Sequence, residues 1–211
     1  MHISEGVLSA PVLIAGFVGT AVLAAATMRK MDLEEIPKIS VITSVFFVSS
    51  LIHVPIGVTS VHLILNGLVG VILGWRAFPA VLVGLVLQAI LFGHGGVTVI
   101  GVNSLMMGGG ALVAYIVWQQ RYHFSFKRRE FIFGALAGAT GVGVSGIVLA
   151  LALATTGEAF HAVAGAVLLA HIPIIVIEAG VVGACAEFLG RVKPEILAGQ
   201  RLSTARPDVA T

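Results

Sequence analysis

The chain has 211 residues, 58% of them hydrophobic and 10% charged, with a mean hydropathy of +1.06 and a formal net charge of +2. No soluble domain needs that much apolar surface, so the composition excludes a soluble globular protein and predicts one polytopic membrane domain. The single Cys185 excludes a disulfide framework and reads as core packing, and no nucleic-acid footprint is visible.

The chain opens on Met1-His2-Ile3-Ser4-Glu5-Gly6. No basic region precedes the apolar run, so this is not a signal peptide. The α-amine of Met1, the backbone amide of His2 and its imidazole lie within reach of one ion, and chelation closes two small rings. A deprotonated amide favours flat, nitrogen-rich coordination, which selects Ni(II), Cu(II) and Co(II). Met1 survives processing because His2 is too large for initiator removal. The alternative is a histidine that falls by accident on a frayed end. Against that, the apolar run begins at Val7 and tethers the terminus to a membrane face.

Residues 7–28 are uncharged, 22 in all, enough for one span at about 20 residues each. Arg29, Lys30, Asp32, Glu34, Glu35 and Lys38 form a loop. Residues 39–75 are uncharged but interrupted by His53-Val54-Pro55-Ile56-Gly57, which predicts two helices and a turn. Residues 77–120 are uncharged and broken by Gly93-His94-Gly95-Gly96, which predicts another two. A basic loop with Lys127, Arg128 and Arg129 follows, then spans over 131–157 and from His161 to about Leu189. The expected fold is an all-α, seven-helix bundle over residues 1–190, with residues 191–211 a disordered tail.

All twelve Lys and Arg residues fall after spans one, three, five and seven. The positive-inside rule then puts the N-terminus outside and the tail in the cytoplasm. His2, His53, His62, His94 and His161 fall at the outer ends of spans, a pattern suited to a cation arriving from outside. From His62 to Arg76 is about 21 Å of helix, short of a hydrocarbon core of about 30 Å. His62 therefore sits below the outer surface. Residues 53–61 and 93–103 dip inward, which irregular backbone does only where protein or a wet cavity covers it. The expectation is an outer pocket plugged by the N-terminal hexapeptide.

His62 is the candidate fourth metal nitrogen, completing a square with Met1 and His2. The alternative is a histidine hydrogen-bonded across helices. Ser60 or Asn66 is expected to hold its other ring nitrogen. His94 reads as loop structure before ligand, and Asn103 as a partner for backbone amides of the hexapeptide. Glu5 is placed to salt-bridge or to cap a helix start. His171 and Glu178 share one face of the last helix and read as an internal polar clamp to Asn66, Asn103 or a threonine. Small residues at Gly16, Thr20 and Ala24, and at Gly134, Gly138, Gly141 and Gly146, allow close helix approach, within the chain or to a partner. No HExxH, P-loop or credible Ser/His pair is present, which predicts a non-catalytic protein.

Met1-His2-Ile3-x-Glu5-Gly6, Val58-Thr59-Ser60-Val61-His62, Gly93-His94-Gly95-Gly96-Val97-Thr98-x-x-Gly101-x-Asn103 and Ala170-His171-Ile172-Pro173-x-x-x-Ile177-Glu178 resemble the CbiM/NikM family over essentially the whole membrane part of the chain. These are substrate-capture components of energy-coupling-factor transporters for cobalt and nickel. The resemblance implies seven helices with an inserted N-terminus. The metal would be held by the Met1 amine, the His2 amide and imidazole, and His62. Its implied partners are a transmembrane coupling subunit, cytoplasmic ATPase subunits and a small accessory membrane subunit. Here Gly74-Trp75-Arg76 stands where Gly-Pro-Trp is usual, and 58–65 is more apolar than the usual glycine-rich version. The expected function is capture of Co2+ or Ni2+, as transported substrate and without an organic cofactor, at the bacterial cytoplasmic (inner) membrane. The rival is a stand-alone proton-coupled permease with His171 and Glu178 as relay.

Overall fold

The computed structural model describes residues 2–29, 31–56 and 59–199, without the side chains of 53–61. Seven α-helices build it: α1 Ala10–Met28, α2 Ile36–Ser49, α3 Asn66–Leu73, α4 Ala77–Phe92, α5 Ile100–Gln119, α6 Arg129–Ala154 and α7 His161–Val192. A short antiparallel hairpin, β1 His53–Ile56 with β2 Thr59–His62, joins α2 to α3 and pairs His53 with His62. The chain is an all-α, multi-pass membrane fold apart from this local hairpin.

Among the described residues five helical runs are long and apolar enough to cross a membrane, one of them Asn66–Phe92. That run is two antiparallel limbs. Asn66 donates to the Met107 carbonyl and Gly70 abuts Ala111 and Tyr115, so α3 runs alongside α5 in the same direction. Phe78 packs on Gly108 and Gln88 reaches His2, so α4 returns the other way. The reversal falls at Gly74, whose φ of +60° suits glycine. The 14 residues of α2 rise only about 21 Å, and the hairpin completes its path.

At the centre lies α3, with all eight residues buried. Gly67 sits against Gly138 and the Ala137 carbonyl, and Gly70 against the Ala111 carbonyl, with no room for a Cβ. This close approach is what membrane helices use where apolar surface gives no drive to associate. Asn66 pins the contact, its Nδ2 donating to the Gly141 carbonyl at 3.1 Å and Ser145 Oγ at 2.9 Å. The small-residue faces serve internal packing: Gly16 and Thr20 against α5, Gly134 and Gly138 against α7.

The basic end is tied together. Arg76 pairs with Glu35 at 2.9 Å and donates to the carbonyls of Thr27 and Arg29, joining α1 to the α3–α4 reversal. Residues 191–199, the first part of the expected disordered tail, are ordered. Arg191 and Val192 belong to α7, Pro194–Ile196 make a 3-10 turn, and Leu197 is 2% exposed. The Ala198 N–H donates to the Val71 carbonyl at 2.9 Å, one of the last carbonyls of α3. Trp118 Nε1 and Arg121 Nη2 donate to the Ala198 carbonyl, and the Tyr122 hydroxyl to that of Gly199. A polar sequence stays ordered because these donors line its seat. Residues 200–211 lie outside the described residues.

Candidate metal centre

The N-terminal segment is sewn to the loop before α5 and to the first turn of α5. Ile3, 3% exposed, donates its N–H to Asn103 Oδ1 at 3.0 Å and accepts from Asn103 Nδ2 at 3.2 Å. The side-chain amide thereby mimics a strand partner and satisfies one buried peptide completely. Two residues on, the Glu5 N–H donates to the Gly95 carbonyl at 3.0 Å, and its carboxylate accepts from the Thr98 N–H at 2.9 Å. Glu5 therefore caps the turn leading into α5, and the Thr98 amide holds its carboxyl below the ordinary carboxylate range. Gly96 has φ +106°, and a Cβ there would run into the Glu5 side chain. Gly95, φ +78°, likewise leaves room for Asn103 and the Ile3 carbonyl.

His2 follows from this seat. Its Nε2 lies 2.8 Å from Gln88 Oε1 on α4. An amide oxygen only accepts, so Nε2 carries the hydrogen and the lone pair sits on Nδ1. Nδ1 is the nitrogen that can close a six-membered chelate with the residue's own amide nitrogen. Burial, first, and nearby positive charge push the imidazole pKa down to about 3. The ring is neutral at physiological pH. His62, at the end of β2, has the opposite tautomer. Its Nδ1 donates to the Leu63 carbonyl at 3.0 Å, which places the lone pair on Nε2.

The rings of His2 and His62 have centroids 5.6 Å apart, and His94 lies 5.5 Å from His2. Adjacent nitrogens of a flat four-nitrogen site lie about 2.9 Å apart, and opposite ones about 4 Å, at bond lengths of about 2.0–2.1 Å; the rings of His2 and His62 are direct neighbours. Among the described residues no group of three or more His, Cys, Asp or Glu side chains is arranged to hold a metal. The Met1 amine, the first of the expected ligands, lies outside the described residues.

The other expected residues are placed as follows. The side chain of Ser60 lies outside the described residues. Asn66 does not hold His62: its amide is spent on α5 and α6, and the Leu63 carbonyl takes the ring instead because it is adjacent in the chain. His171 bonds back to the Val167 carbonyl at 2.6 Å and packs on Gly146. Glu178 turns to α3, where its Oε1 accepts from the N–H groups of Ile64 and Leu65 at 2.5 and 2.9 Å. The expected clamp therefore closes on backbone amides, which the sequence does not display. Gln88 was missed by sequence reading. Its signal was available, since it is the lone polar side chain in α4.

A family model described as "Cobalt uptake substrate-specific transmembrane region" (CbiM) matches residues 2–196. A protein of Haemophilus influenzae whose name assigns it to metal transport is 36% identical over 199 residues, covering 93% of this chain and 97% of its own. The fused nickel transport protein NikMN of Rhodobacter capsulatus is 32% identical over 229 residues, and the match spans 97% of this chain but 66% of that protein. A crystal structure of a transition metal transporter superposes with a TM-score of 0.79 at 24% identity, covering 91% of this chain and 93% of the other.

Proposed function

The chain belongs to the CbiM family of cobalt-uptake transmembrane proteins, and from that premise we propose that it captures one Co2+ or Ni2+ ion through the Met1 amine, the amide and Nδ1 of His2, and Nε2 of His62. The observation that carries this reading is the matched pair of imidazoles. Gln88 and the Leu63 carbonyl fix opposite tautomers on two rings 5.6 Å apart. An outer-shell acceptor of this kind sets which ring nitrogen ligates and sharpens its basicity.

Capture needs three things from the chain. Asn103 and Glu5 hold the segment so that the His2 amide faces the ion. Gln88 orients the His2 ring. The turn at 62–65 presents His62 from the other side. In the sequence all twelve Lys and Arg residues fall after spans one, three, five and seven, which supports an N-terminus facing outside the cytoplasmic membrane. Release inward would be driven by ATPase and coupling subunits, since no nucleotide-binding motif occurs in this chain. The fused NikMN relative supports work alongside further membrane components.

The rival permease reading has less support, because its two relay residues face separate partners: His171 the Val167 carbonyl, Glu178 the amides before α3. The test is metal binding by purified protein with its native terminus, under Ni/Co competition. His2→Ala and one extra residue ahead of Met1 should each abolish high-affinity binding. Full affinity in either variant overturns the assignment.

A further inference from the structure

Resting on that reading, we propose that Glu178 of α7 is the positioning residue that holds His62 in place for the ion. Its carboxylate gathers the amides of residues 64 and 65, two and three positions beyond the ligand.

Residues 63–65 link β2 to α3 and belong to no helix or strand. Ile64 is 1% and Leu65 7% exposed, so no water meets their amides. A buried N–H left unmet is costly, and Leu65 adds a left-handed backbone with φ 54°, which a non-glycine residue adopts only against steric resistance. This conformation persists only if something outside the segment holds it. Glu178, 0% exposed, does so with a single oxygen, at 2.5 and 2.9 Å. The carboxylate also lies at the N-terminus of the buried α3, where the helix dipole favours negative charge. From the other side Ser49 Oγ of α2 reaches the Leu63 carbonyl at 3.4 Å, the same carbonyl that sets the His62 tautomer. The direction of His62 Nε2 is thus fixed by a peptide run that α7 grips. Gly138 lets α6 approach the Glu178 main chain closely, which holds α7 at this level. Glu178 touches no metal; it acts through the backbone.

A merely structural role would lower stability and leave the ligand set unchanged, so the readout is ligation itself. Cu(II) serves as the probe, with absorption and EPR spectra reporting the number of bound nitrogens. The intact protein should show four, and His62→Ala three with affinity about 10–100-fold weaker. Glu178→Ala should reproduce the His62→Ala spectrum and loss. Glu178→Gln, which keeps Oε1 as an acceptor, should retain four nitrogens. Glu178→Asp keeps the charge but is one methylene too short, and should again show three. It serves as the decisive variant if the alanine form does not fold. Four nitrogens at full affinity in the Ala or Asp variant overturns the inference while leaving the metal site standing. If the intact protein and His62→Ala do not differ, the capture site itself is wrong and this role falls with it.

Discussion

At one end of the bundle Ile3 hangs from Asn103 and His2 from Gln88; at the other, Ala198 hangs from Val71, Trp118 and Arg121. Each end is closed by one terminus of the chain, and each closure leans on polar side chains of α4 or of the α5 region. They differ in what remains afterwards. At the basic end the main-chain oxygens of Trp118, Ala198 and Gly199 are taken up by Arg121, Trp118 and Tyr122, and the guanidinium stacks 3.8 Å from Trp118 and 4.0 Å from Tyr122. That is a fastening. At the histidine end Gln88 holds Nε2 of His2 and the Leu63 carbonyl holds Nδ1 of His62, which under the proposed capture assigns the other nitrogen of each ring to the ion. The contrast teaches that polar atoms in a membrane bundle can be spent on closure or reserved for a ligand, and that tautomers show which.

The comparison can be broken from either side. Asn103→Ala removes both bonds to Ile3 and should undock the segment. An affinity loss of about 100-fold or more is expected from two buried hydrogen bonds, read by metal competition, with thermal stability little changed. Gln88→Leu should cost about 10–100-fold by freeing the His2 ring, and Gln88→Glu should recover part of it, since a carboxylate also accepts from Nε2. Arg121→Met should do the reverse. The bundle loses about 2 kcal/mol of stability from unmet carbonyls, while metal affinity stays within twofold. An affinity change there would mean that the two ends communicate through α3.

The smallest effect is on pH. Because His2 is depressed in the folded protein to about 3 from 6.5, protons favour the undocked segment, and its seat is fully stable only above about pH 6.5. Below that, metal-free protein should lose amide protection at residues 2–6, the exchange rate being divided by its intrinsic value at each pH, by up to about tenfold per pH unit. Protection that stays constant between pH 7 and 5 would mean the ring is not sequestered.

Much of this was legible in the sequence, and for physical reasons. Uncharged runs mark helices because a charge is costly in lipid, and the MHI start displays its chelating atoms whatever the fold. What stayed hidden depends on partners that sequence does not reveal. Glu178 was visible as an intramembrane acid, but backbone amides at 64 and 65 have no letter of their own. The seat of Ala198 could not be read from a polar tail, because Arg121 and Trp118 create it from a distant loop. The shortness of α2 was masked by an apolar run that continues unbroken into the hairpin. Gln88 was overlooked for lack of charge.

The eight-residue α3 has a consequence for how this molecule is made. A stretch of about 12 Å cannot be handed to the bilayer as an independent span. Its neighbours in α5, α6 and α7 emerge from the ribosome only later, and Ala198, which caps its last turn, follows all of them. The half-helix must wait at the edge of the growing bundle until α7 and Ala198 have been made. A chain stopped before Ala198 would then fail in assembly rather than in binding.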